Sequence, residues 1–451
     1  MIVSIKDPKL PYSATDHEKG KPSMSSQQSP LVIGIRLSTM MFLEFFVWGA
    51  WYMTVGNYMK AHGMESSIHW AYTVGPIAAI ISPFILGMVA DRFFSSERVL
   101  GVLMIVGGAV LYYAPSVVVG KTGEGSTTFI LLLLLHMLCF MPTLGLTNTI
   151  AFSHLKNQKV WFPLIRVFGT LGWIVAGIIV SKYLEADALP IQFYVAGGVS
   201  VLMGIYSLTL PHTPPPSKGK AVSIRDILGL DSLALLKNRS FLIFMVSSLL
   251  LCIPLSTYYV YTPIMMGDAG LENPGYQMTF GQMSEVVFMV LMPLFFKFLG
   301  VKRMLLFGMF AWVVRYALFA AGAPEGVYWM IISGIVLHGI CYDFFFVTGQ
   351  IYVDQAAGPA IRAQAQGFLV LATQGFGMLV GAQISGWLFN RIVTGEGAAS
   401  LPTWQTFWIY PAVAAFVIMV IFMLLFKDDS KGSQEISEED VAKAASNEEM
   451  V

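Results

Sequence analysis

Polar and apolar positions along this chain separate into long blocks. The first thirty residues are polar, bearing Lys6, Pro8, Lys9, Lys19, Lys21 and Pro22, with no apolar run ahead of a small-residue cleavage site. No signal peptide is therefore expected, and residues 1–32 read as a cytoplasmic tail. From residue 33 onward there are twelve apolar stretches, each near the roughly 20 residues that cross about 30 Å of hydrocarbon at about 1.5 Å per residue. They begin near Ile33, Ile68, Val99, Thr128, Phe162, Pro190, Phe241, Gln277, Met304, Val327, Gln364 and Trp404. The pattern predicts twelve membrane-spanning helices, in which Gly and Pro are ordinary. The longest connection, 211–239, opens with Pro211, Pro214, Pro215 and Pro216 and runs into an amphipathic segment around Asp226 to Leu236. It divides the chain into six-helix bundles at 33–210 and 240–427. Pro83 ahead of Asp91, Arg92 and Arg98 has a loose counterpart in Pro293 ahead of Lys302 and Arg303, a hint of duplicated halves. Residues 428–451 carry eight acids and are expected to be disordered.

Composition strengthens this picture. Of 451 residues, 56% are hydrophobic and 12% charged, against roughly a quarter charged in soluble proteins. With 27 Lys+Arg against 27 Asp+Glu, nothing favours nucleic acid as a partner. Cys139, Cys252 and Cys341 lie inside apolar segments without metal-ligand spacing, so neither a disulfide framework nor a metal site is expected, and no cofactor. Basic residues set the orientation, because positively charged loops stay in the cytoplasm. With both termini inside, only Lys60, Lys121, Lys182 and Arg391 of the 27 fall outside, while Arg36, Arg166 and Arg315 fall in or at the ends of spans.

Gly87-Met-Val-Ala-Asp91-Arg92 after span 2 resembles the Gly-x-x-x-Asp-Arg signature of the major facilitator superfamily. The plainer reading is a solvated turn with a surface ion pair. Charges inside spans say more, since each costs about 2.5–3.5 kcal/mol or more in hydrocarbon and faces a cavity or a partner. Glu44, Glu285 and Asp343 qualify. Gln282 lies three residues before Glu285, on the same helical face. Such acids suit proton uptake and release, or they pair permanently with Arg166 or Arg315. Glu44 sits in an aromatic run of Phe45, Phe46, Trp48, Trp51 and Tyr52. Arg166, Thr170 and Trp173 follow i, i+4, i+7 spacing, which makes a ligand face, although Arg166 could also anchor the cytoplasmic helix end. In span 7, Ser256, Thr257, Tyr258, Tyr259 and Tyr261 place phenols at membrane depth. His338 in span 10 could donate, accept or carry a proton, or simply be satisfied by neighbours.

These segments together resemble the nucleoside:proton symporters of the major facilitator superfamily, the group of the bacterial nucleoside permeases, over nearly the whole chain. They are Trp48-Gly-Ala-Trp51 with Gly56-Asn-Tyr-Met59, the Gly87 to Arg92 motif, Met141 to Thr149, Ile165 to Thr170, Leu228 to Asp231, Gln282 to Glu285, Tyr342 to Phe345 and Pro359 to Gly367. The resemblance implies an all-α fold of two six-helix bundles, proton-coupled nucleoside uptake, an inner membrane and a nucleoside site containing Arg166, Thr170, Gln282, Glu285 and Asp343. A monomer in the lipid bilayer is expected. The chain departs from the family's lining in carrying Trp173 for a phenylalanine, Leu255 and Tyr258 for an amide pair, and His338 and Tyr342 for a tyrosine and a phenylalanine.

The expected mechanism is alternating access. Glu285 and Asp343 bind ribose hydroxyls and couple protons, Gln282 and Thr170 hydrogen-bond the solute, and Trp173, Tyr258 and Tyr342 stack on the base. Arg166 balances the acids or binds base carbonyls. A symporter for another polar solute, such as a sugar derivative, and a receptor that does not translocate remain competing readings. An enzyme is the weakest, since no nucleophile elbow or phosphate loop is present.

Overall fold

A computed structural model describes residues 29–86, 93–118, 124–215 and 230–428. The Gly87-Asp91-Arg92 motif, both outer tails and most of the central connection lie outside the described residues. Within them the chain is helical. Span 1 is Pro30–Gly49, span 2 Ile68–Ile85, span 3 Ser96–Tyr113, span 4 Ser126–His154, span 5 Trp161–Tyr183 and span 6 Ile191–Ser207. Span 7 is Arg239–Asp268, span 10 Tyr328–Ala357, span 11 Gln364–Ile392 and span 12 Leu401–Leu425. Spans 8 and 9 share the helix Pro274–Gly322, interrupted where Gly300 takes φ 64° and ψ 177°, a conformation open to glycine. That single residue separates 274–299 from 301–322 and produces the expected twelfth crossing.

Local chemistry explains the starts. Span 1 has Pro30 in its first turn and Ser29 accepting from the Val32 amide at 3.4 Å; span 7 is capped by Asn238, which accepts from the Phe241 amide at 3.0 Å. Of the amphipathic segment expected before span 7, residues Leu230–Lys237 form a short 3₁₀ helix.

The helices pair in a pattern that repeats. In the first half span 1 packs on span 5, span 2 on span 4 and span 3 on span 6; in the second, span 7 packs on span 11, span 8 on span 10 and span 9 on span 12. The two bundles meet through spans 2 and 11 and through spans 5 and 8. Polar contacts between them gather at the end away from the chain termini. There Lys60 Nζ donates to Asp268 at 2.6 and 2.9 Å, Asn57 donates to the Pro263 carbonyl at 3.1 Å, the Gly275 amide donates to Asp187 at 3.0 Å and Asn390 donates to the Ser66 carbonyl at 3.1 Å. Asp268, nearly buried, also accepts from Ser400 and Trp404. A carboxylate desolvated this far is stabilised by several donors at once, so this end is closed by a network rather than by one surface pair.

The seam between spans 8 and 10 positions the acidic side chains. A Cβ on Gly339 would lie 2.6 Å from the backbone of Ser284, so glycine permits the helices to touch. Ser284 Oγ then donates to the Val336 carbonyl at 2.5 Å and accepts from the Gly339 amide at 2.9 Å. Immediately after, span 10 widens into a π-helical stretch, Asp343–Val347. Such widening is common at functional sites and resets the direction of the side chains it carries.

Candidate functional site

Three acids, one guanidinium and a set of rings converge between the bundles. On span 5, Arg166, Thr170 and Trp173 are all half-buried. The Arg166 guanidinium lies 3.9 Å over the Phe45 ring and interacts electrostatically with Tyr342 and Glu285 of the other bundle and with Glu44 of its own. Trp173 meets Trp48 edge-on at 5.4 Å and Tyr52 at 6.1 Å, and Tyr52 reaches across to Tyr259 at 6.2 Å. Aromatic side chains from both bundles thus meet at the same interface.

On the facing bundle, Gln282 and Asp343 are buried and Glu285 half-buried. Asp343 interacts electrostatically with Glu285, and neither of its carboxylate oxygens has a hydrogen-bond partner in the protein. Gln282 Oε1 is likewise unpartnered. Buried polar atoms are nearly always paired, so unpaired ones that converge mark unused binding capacity. A permanent pairing of Asp343 with Arg315 is not what the structure contains. Arg315, fully buried, lies 4.1 Å over the Tyr258 ring and 5.1 Å over the Trp312 ring, and its Nη2 donates to His338 Nδ1 at 3.0 Å.

That contact orders a chain of hydrogen bonds. Arginine has only hydrogens to give, so His338 Nδ1 accepts and Nε2–H donates to Tyr259 Oη, 3.2 Å away. The Tyr259 hydroxyl keeps its own hydrogen for another acceptor. Two expectations shift as a result. Tyr258 does not line the interface: it is 0% exposed, stacked on His338 at 5.1 Å and covered by Arg315, because consecutive helical residues point about 100° apart. Its neighbour Tyr259 is half-buried against Tyr52. His338, 1% exposed, stands behind Tyr259. Tyr342 is half-buried, with Phe346 at 5.3 Å and electrostatic contact with Glu285, Arg166 and Asp343. Sequence reasoning noticed Tyr259 and Tyr52 only as members of aromatic runs and gave Thr143, which touches Glu44, no role.

A separate cleft of about 470 Å³ opens between spans 1 and 5, lined by Leu31, Ile35, Phe42, Leu164 and Phe168 with Ser38 and Thr39. It contains none of the acids and is almost wholly apolar, so it lacks the groups that would recognise a polar solute. Among the described residues no group of His, Cys, Asp and Glu is arranged to hold a metal ion.

The chain is similar to known proteins over most of its length. The sequence profile described as nucleoside H+ symporter matches residues 31–431. YegT of Escherichia coli K12 is 37% identical over 416 residues, covering 90% of this chain and 96% of that protein. The xanthosine permease of the same organism is 33% identical over 412 residues, covering 88% and 96%. The crystal structure of the nucleoside transporter NupG superimposes with a TM-score of 0.78 at 31% identity, covering 88% of this chain and 99% of that one.

Proposed function

The chain belongs to the nucleoside H+ symporter family of the major facilitator superfamily and is a multi-pass transporter that moves nucleosides together with protons; we propose that it does so at the interface of Arg166, Glu285 and Asp343. The observation that carries this reading is the unpartnered Asp343 carboxyl facing Glu285 on one bundle, with Arg166 reaching toward Glu285 from the other. Ribose hydroxyls are donors that such carboxyls accept, and Gln282 and Thr170 add neutral hydrogen-bonding groups. Trp173 and Tyr342 offer faces for the base. In this reading Tyr259 takes the place given to Tyr258, donating the hydrogen that His338 leaves free. Tyr258 and His338 then act from behind by holding Tyr259.

The same reading orients the molecule. In it the excess of basic residues on the termini side keeps both tails in the cytoplasm, and the family resemblance implies an inner membrane. The closed end with Lys60, Asp268 and Asp187 then faces outward, and in this reading the protein works as a monomer. The two bundles rock about the site, joined by the connection at 211–239.

The test is uptake of labelled uridine and adenosine into proteoliposomes under an inward proton gradient, with and without an uncoupler. Uncoupler-sensitive accumulation is expected for the wild type and its loss for Glu285→Gln. Normal accumulation by that variant removes Glu285 from coupling. No accumulation of either nucleoside by folded protein shifts the substrate to another polar solute.

A further inference from the structure

The acid on the amino-terminal bundle has so far had no part in transport. Glu44 is 0% exposed on span 1, and its Oε1 lies 2.5 Å from Thr143 Oγ1 of span 4. Thr143 Oγ1 is also 2.5 Å from the carbonyl of Phe140, three residues earlier on its own helix. A hydroxyl has one hydrogen, and a carbonyl can only accept. Two bonds this short cannot share that hydrogen, so Thr143 donates to Phe140 and the bond to Glu44 runs the other way. The donor is the carboxyl, which therefore carries a proton. Its other oxygen, Oε2, has no partner in the protein.

Charge balance between the bundles agrees. Away from the closed end, the acids at the interface among the described residues are Glu44, Glu285 and Asp343; Arg166 interacts with Glu285 and Glu44, and Asp343 interacts with Glu285. Arg315 is turned away, its electrostatic partners being Cys341 and the tyrosines 258, 259 and 316. One guanidinium balances one carboxylate, and a bare second or third in a site of low dielectric is strongly disfavoured. Two protons are thus needed for three acids. Glu285 and Asp343 share one, and the hydrogen-bond geometry puts the other on Glu44.

We propose that Glu44 is a second proton-binding site of the transport cycle, loaded against Thr143 in the state seen here and unloaded when its carboxylate engages Arg166. Every element packed on span 1 is compatible with that exchange. Span 5 brings Arg166. Span 4 brings Thr143 and, two turns away, His136, whose Nδ1 is held at 2.9 Å by the Gly107 carbonyl. Span 6 brings Tyr206, bonded to the Arg36 carbonyl two turns from Glu44. Arg166 is consequently shared between an acid of each bundle, and its choice of partner would report which proton has left.

Glu44→Gln supplies the test, since the amide is similar in size and can donate to Thr143 as the protonated acid does. In proteoliposomes with one pH unit across the membrane and the potential clamped, each coupled proton multiplies the limiting accumulation about tenfold. The variant should lose about that factor, and its proton-to-nucleoside flux ratio should fall by one. An unchanged ratio overturns the proposal. Infrared spectroscopy of the full chain reads the proton directly and needs no transported solute. Beside the band of the proton shared by Glu285 and Asp343, a second carbonyl band of a protonated carboxyl should be present at neutral pH, and this second band should vanish in Glu44→Gln, shift in Thr143→Val and respond to added nucleoside. A wild-type spectrum that loses no band in Glu44→Gln, or a lost band insensitive to both pH and nucleoside, makes Glu44 a fixed structural acid and also overturns the proposal. A wild type that accumulates no nucleoside counts against the transport reading of the central site, while the band still decides Glu44.

Discussion

The two bundles share one packing pattern but hold their charges differently. In the amino-terminal bundle the acid is held through one oxygen, Glu44 Oε1 lying against Thr143, and the cation projects to the interface, Arg166 over Phe45. In the carboxy-terminal bundle the cation is locked inside, Arg315 against His338 and Tyr258, and the acids are left unsatisfied, Asp343 beside Glu285. Each bundle offers what the other lacks. The proposed binding site, divided in this way, is complete only when the bundles are apposed, so separating them weakens the attraction of Arg166 to Glu285. This couples the state of the acids to the rocking motion that alternating access requires.

Substitutions can break the comparison at either half. The largest effect is expected from Asp343→Asn, which removes an unpaired acid; uptake should fall roughly a hundredfold, as for the loss of a charged hydrogen bond worth about 1.5–3 kcal/mol. Arg166→Lys keeps the charge but loses the planar fork, and KM should rise roughly tenfold with a smaller change in maximal rate. The phenols give a paired test: Tyr259→Phe deletes a hydrogen bond worth about 1 kcal/mol and should raise KM roughly fivefold, whereas Tyr258→Phe should change KM by less than about twofold. A larger effect at Tyr258 than at Tyr259 would place the lining on the wrong tyrosine.

The smallest effect concerns the closed end. Burial raises the Asp187 carboxyl above the usual carboxylate range, partly offset by the Gly275 amide and the Ser181 hydroxyl that donate to it. A raised value means that closure binds the proton more tightly than the open form does. Its contribution to closure is fully present below the ordinary carboxylate range and is lost as pH rises through the raised value. Labelling of a cysteine placed behind this end should therefore quicken as pH rises through that window, and Asp187→Asn should flatten the response.

Much of this was legible in the linear chain. Twelve apolar blocks and the spacing of Arg166, Thr170 and Trp173 follow from helix periodicity alone, and an acid in an apolar block declares itself because hydrocarbon excludes it. The choice between Tyr258 and Tyr259 was not legible. Adjacent helical residues share composition and depth, and only the position of Arg315, 57 residues beyond Tyr258 in sequence, decides which ring is covered. Thr143 was invisible for a similar reason, since its partner Glu44 lies 99 residues away.

By itself the sequence determined that this protein crosses a membrane many times, where it is interrupted and which ionisable groups it buries, because burial in lipid is judged residue by residue. Tertiary structure alone decided the partners. It put Arg315 on His338 and left Asp343 without one, turned Tyr259 toward the interface, and set Glu44 against Thr143. Hydrogen bonds and ion pairs act over a few ångströms in space, and distance along the chain does not encode which helices will come that close.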